Sequence, residues 1–149
     1  MQRVNTILAL LALALLGGCA ALNGEPRNAV TAISIESTPD SNHRTPVAVD
    51  IVFVHGKELA AELANISNRA WFAKKPTLLA REPDALDVVH YEITPLTPRF
   101  AVNLPQEHTR AHGVWLFSNF IGDNQAPIDL SQQAQSRIVL EKNGLRLIK

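Results

Sequence analysis

A single cysteine, Cys19, in 149 residues excludes any disulfide within the chain, so its stability has to come from a packed core. Neither sign of charge prevails. The 14 Lys and Arg stand against 14 Asp and Glu, and this balance argues against nucleic acid or another polyanion as partner. No apolar run reaches the roughly 20 residues that a membrane-spanning helix needs. G-x-S-x-G is absent as well, which removes the nucleophile elbow of an α/β-hydrolase.

What is present begins with an export signal. In MQRVNTILALLALALLGGCA, Arg3 precedes an apolar run from Ile7 to Leu16 and then small residues, the layout of a signal peptide. Leu16-Gly17-Gly18-Cys19 matches the bacterial lipobox, whose cysteine thiol carries a diacylglycerol. A mature lipoprotein of that class carries three acyl chains. At roughly 0.8 kcal/mol per buried CH₂, three chains anchor it for good. The class also implies the outer membrane, because Ala20 rather than Asp follows the cysteine. Residues 1–18 are therefore expected to be the signal peptide, 19–28 the acylated N-terminus and tether, and 29–149 one domain facing the periplasm. A mature chain of roughly 130 residues buries about two-thirds of its unfolded surface.

Within the domain, period-two patterning predicts strands over residues 29–36 and 46–54, the second with Val47, Val49, Ile51 and Phe53 on one face and Asp50 interrupting the other. The period then changes. Leu59, Leu63 and Ile66 recur at helical spacing, and a second helical piece over 67–75 has Ser67 as N-cap, with Pro76 opening a further turn. The helical insertion covers about 57–82. Strand patterning resumes over 86–93, 99–104, 112–120, 136–141 and 145–148, and Asn143-Gly144 suits a type I′ hairpin turn. The expected class is mainly β: an antiparallel sandwich of about seven to eight strands with an inserted helical segment.

Several motifs invite a catalytic or metal reading. IVFVHG, ending in His55-Gly56, resembles the oxyanion strand of hydrolases, yet no nucleophile accompanies it, so a strand end and turn explain it. His108 and His112 have H-x₃-H spacing, but the intervening residues lead into a strand and no third ligand is nearby. The carboxylates are scattered, with no acid–base pair. Catalytic residues, metal ligands and cofactors are thus all expected to be absent.

Strand reversal places the connections 37–45, 94–98 and 121–135 on one rim, and two of them are longer than hairpin loops usually are. The passage TPDSN followed by TPVAVDIVFV, the lipobox, the helical insertion and GVWLFSNF together resemble the type VI secretion outer-membrane lipoproteins, the TssJ family. The matching residues are Pro39, Asn42 and Pro46 to Val49. This resemblance, to a core or an accessory member, implies a transthyretin-like β-sandwich. It also implies that Pro39, Asp40, Ser41, Asn42, His43 and Arg44 contact the periplasmic domain of the inner-membrane core protein, TssM. An alternative is a periplasmic inhibitor or immunity lipoprotein acting on a cell-wall hydrolase or toxin.

Overall fold

The structure is a computed structural model that describes residues 27–122 and 125–149. Residues 1–18, expected to be a signal peptide, and Cys19 lie outside the described residues. Ten elements follow in order: β1 (Ala32–Ser37), β2 (Val47–Val54), α1 (Lys57–Leu63), α2 (Asn68–Arg81), β3 (Leu86–Ile93), β4 (Phe100–Ala101), β5 (Gly113–Ser118), β6 (Ile128–Asp129), β7 (Gln135–Glu141) and β8 (Gly144–Ile148). The strands form two four-stranded sheets, β4-β1-β7-β8 and β3-β2-β5-β6.

β2 organises the molecule because both of its faces are buried. Val47, Val49, Ile51 and Phe53 point between the sheets and meet Ile33 and Ile35 of β1, Leu116 of β5, and Ile138 and Leu140 of β7. Val52 and Val54 point the other way, into a second core closed by Leu59, Leu63, Trp71 and Leu78 of the two helices and Phe117 of β5. The result is three layers, sheet on sheet on helices. VAVDIVFV is therefore a near-continuous apolar run rather than the half-exposed strand that its pattern suggested.

Four sequence expectations are corrected. The sandwich is not wholly antiparallel, since β1 pairs with β7 in parallel from Ala32↔Gln135 to Ser37↔Leu140. Pro76 does not start a new turn but lies inside α2, an uninterrupted 14-residue helix held to the sheet by Trp71 before the proline and Leu78 after it. The strand expected over 99–104 shortens to Phe100–Ala101, while the two-residue β6 gave no readable period. At the last hairpin, Glu141 pairs with Gly144, which leaves Lys142 and Asn143 as the loop. Gly144 has φ +157° whereas Asn143 is not in a positive-φ conformation, so no type I′ turn forms.

Local chemistry sets the remaining boundaries. Ser67 Oγ accepts from the Ala70 N–H at 3.2 Å and caps α2 as its sequence position requires. Asn28 Nδ2 donates to the carbonyls of His108 and Ala111, and Asn28 Oδ1 accepts from the Val30 N–H, so the chain is already fastened before β1 begins.

The helix layer is tied down by one carboxylate. Asp50 projects from the helix-facing side of β2 with no solvent exposure. It accepts from Trp71 Nε1 at 2.7 Å, meets Lys75 Nζ at 2.9 Å, and lies 2.6 Å from Nδ1 of His90, its cross-strand partner on β3. Trp71 in turn stacks on Phe117, with ring centroids 4.7 Å apart. Taking a carboxylate out of water is costly unless opposite charge and donors surround it, and here helix α2 and strand β3 supply both. Asp50→Ala is expected to lower the unfolding free energy by about 3–5 kcal/mol, since it leaves Lys75 and the Trp71 N–H without their acceptor. Urea denaturation checks this, and a loss under about 1 kcal/mol would mean that the cluster contributes little.

On the outer face of the other sheet, Glu36 of β1 accepts from Arg137 of β7 at 3.0 Å and from Arg99, beside β4, at 3.1 Å. The hydrogen bonds from Arg137 and then Arg99 hold its pKa below the ordinary carboxylate value. A folded-state pKa below the unfolded one makes this contribution fully present above the unfolded value and lost as pH falls through the folded value. Stability lost in Glu36→Gln at pH 7 is therefore expected to shrink as both proteins are unfolded in urea at successively lower pH through the carboxylate range. A constant difference would refute the linkage.

Candidate functional site

The parallel β1·β7 pair and the antiparallel neighbours of β2 bring several chain reversals to one end of the sandwich. β1, β3, β5 and β7 all run toward this rim, and β2 leaves from it. Ser37 Oγ donates to Thr94 O at 2.7 Å and accepts from the Thr97 N–H at 2.8 Å. The Leu96 N–H donates to Thr38 O at 3.3 Å, and the Ile121 N–H donates to Asn42 Oδ1 at 2.8 Å. Strand parity had grouped the connections 37–45, 94–98 and 121–135; the first two and the start of the third meet here. β7 runs toward the rim as β5 does, so the third connection returns through β6 to the opposite pole, where the Ala29 and Thr31 N–H groups donate to Ser131 O and Ala134 O. The β7–β8 hairpin is a fourth member, because the Thr38 N–H donates to Leu140 O at 2.9 Å and an open cleft of about 460 Å³ lies between Asp40 and the Lys142–Asn143 turn.

The first loop has an unusual backbone. Asn42, His43 and Arg44 have φ of +44°, +55° and +68°, three successive non-glycine residues in the left-handed region. Each costs on the order of 1 kcal/mol, least for Asn, whose short side chain bonds locally. Asn42 offsets much of this: Nδ2 donates to Thr45 Oγ1 at 2.8 Å and Pro46 O at 3.0 Å, while its carbonyl accepts from Thr45 Oγ1 at 2.6 Å. Ser41 and Asn42 are buried as a consequence, and Pro39, Asp40, His43 and Arg44 face solvent. The six residues singled out from the sequence thus divide into two that shape the loop and four that it displays.

Two functional candidates escaped sequence reading. Leu96, 67% exposed, and Ile121, 63% exposed, are the exposed large hydrophobic residues among those described, and both sit on this rim. Leu96 also has φ +63°. The available signal was a large aliphatic residue inside an otherwise polar or proline-bearing loop, in TPLTP and in FIGDN.

The opposite pole, where residue 27 enters, holds an open cleft of about 570 Å³ lined in part by Arg27, His55, Asp84, Asp87, Glu107 and Arg110. Two pairs of its polar groups are joined: His55 Nε2 lies 2.9 Å from Asp87, and Arg110 Nη1 2.9 Å from Glu107. The His55 N–H donates to Ala85 O at 2.9 Å and is not free for an oxyanion, and Gly56 is the N-cap of α1. IVFVHG is a strand and its exit. His108 Nδ1 bonds Pro105 O and His112 Nε2 bonds Arg27, so the H-x₃-H pair is spread over separate loop contacts. Among the described residues no group of three or more His, Cys, Asp or Glu could hold a metal ion.

No protein-family model matches the chain. A search of curated proteins also finds no match. Solved structures do match in fold. Lip of Serratia marcescens, a membrane-bound component of the type VI secretion system, superimposes with TM-score 0.54 at 12% identity over 79% of this chain and 96% of its own. The type VI secretion lipoprotein TssJ1 of Pseudomonas aeruginosa gives 0.52 at 14% over 78% and 92%. A chain of a type VI membrane complex gives 0.55 at 16% over 79% and 96%. The fold is the TssJ β-sandwich.

Asn42→Ala is expected to cost about 2 kcal/mol, because it strands the Ile121 N–H and puts alanine at φ +44°. Asn42→Gly, which restores the backbone freedom without the side-chain bonds, should recover roughly half of that. Thermal unfolding of the two variants separates the contributions, and equal losses would show that handedness carries no cost.

Proposed function

We propose that this chain is a lipid-anchored outer-membrane protein that docks a type VI secretion membrane complex. In this reading Cys19 carries the acyl chains, and the rim formed by residues 38–46, 94–98 and 119–122 binds the periplasmic domain of the inner-membrane core protein, TssM. The observation that carries the reading is the fold, which covers nearly the whole of three structures named for the type VI system. The lipobox at Cys19 adds the anchor, and the described residues contain no helix long and apolar enough to cross a membrane.

Geometry fits a docking role. The chain enters at residue 27, beside Thr109 and His112, and the displayed loop lies at the far end of β2, about 25 Å away at strand rise. A domain tethered at one pole presents the other to the periplasm. Pinning the loop by Asn42 and Thr45 before contact reduces the ordering entropy lost on binding.

Co-purification of the full-length protein from solubilised membranes is expected to recover the core protein and other envelope components of the secretion complex. Cys19→Ser is expected to shift the protein to the soluble periplasmic fraction. Recovery of a cell-wall hydrolase or a toxin without secretion components would overturn the docking reading in favour of inhibition. Retention of Cys19→Ser in membranes would overturn the anchor.

A further inference from the structure

The rim shows a pattern that neither the fold nor the first loop requires. Both strongly exposed aliphatic side chains among the described residues bracket the left-handed turn: Leu96 is bonded through its N–H to Thr38 at the start of the loop, and Ile121 through its N–H to Asn42 in the turn. Arg44, two residues after Asn42 in the same turn, is exposed, and its side chain has no ion pair or hydrogen bond among the described residues. Among the described residues, Arg69 on α2 is likewise exposed without a carboxylate partner, but no large exposed aliphatic side chain accompanies it. Arg81, Arg99, Arg110, Arg137 and Arg146 each hold a carboxylate.

Leu96 and Arg44 are also held where side chains are unfavourable, at φ +63° and +68°. Glycine or asparagine would fit both positions with less strain. The turns closed by Thr97 N–H on Thr94 O and by Thr45 N–H on Asn42 O set these backbone conformations, and both carry large exposed side chains.

We infer that Leu96 and Ile121 are the apolar anchors of the rim interface and that Arg44 is its ionic one. The matching partner surface is a protein face presenting a carboxylate flanked by apolar side chains. This rests on the docking reading above and specifies the chemistry of the same site. Aliphatic groups exclude water around the ion pair, which strengthens it and fixes register. Asp40 takes a different part: its carboxylate accepts from Thr38 Oγ1 at 2.9 Å and is occupied in holding the loop's start.

The test is binding of the full-length protein, in detergent, to the immobilised periplasmic domain of the core protein. Leu96→Asn and Ile121→Ser are each expected to weaken binding about tenfold with little change in its salt dependence. Arg44→Glu should weaken it more, and Arg44→Gln should flatten the decline in affinity with added salt. All four should unfold thermally like the wild type, and Leu96→Asn suits the left-handed backbone, so folding does not confound it. Ile121→Ala replaces Ile121→Ser if the hydroxyl disturbs the loop.

Wild-type binding with unaltered affinity in these variants would overturn the anchors and leave the docking reading standing. Absence of wild-type binding would overturn both. Recruitment of the wild type to phosphatidylglycerol vesicles, abolished by Arg44→Glu, would reassign the rim to a membrane and overturn the protein partner.

Discussion

The three-layer arrangement depends on a buried carboxylate. Asp50 occupies the middle of β2, on the face opposite the sandwich core, and a lone carboxylate there would be prohibitively costly. The chain answers it from two directions, with Trp71 and Lys75 from the helix and His90 from the neighbouring strand. An apolar patch alone would let a helix slide or rotate over the sheet. Two polar contacts from the helix to one residue fix its register, and the stacked Trp71–Phe117 pair then packs in a single geometry. With that layer fixed, β2 is clamped on both faces, and the loop leading into it starts from a rigid base.

Much of this was legible from residue order. The strand at 86–93 matches its pattern, Ser67 caps the helix it precedes, and strand reversal placed residues 37–45 and 94–98 together. What failed has physical causes. Asp50 read as an interruption because a period count does not distinguish a carboxylate facing water from one neutralised by residues 21 to 40 positions later. The β1·β7 pairing joins segments about a hundred residues apart, and no local signal marks a parallel partner. Pro76 stays helical because contacts on both sides outweigh the lost hydrogen bond.

The candidate site was legible to a lesser degree. Loop length and proline content pointed to residues 37–45, but composition could not reveal that Asn42 turns inward or that three residues adopt left-handed backbone. Leu96 and Ile121 acquire meaning only once three loops are brought together. Sites assembled from loop tips have no period to read, whereas the strands that position them do.

The direction of β1 has a mechanical consequence. β1 runs from the pole where the chain enters to the rim, hydrogen-bonded to β7 along its whole length. A pull applied between those poles acts along the strand axes and loads these bonds together in shear, instead of peeling them one at a time. Force applied between the two poles therefore meets the sheet in its stiffest orientation.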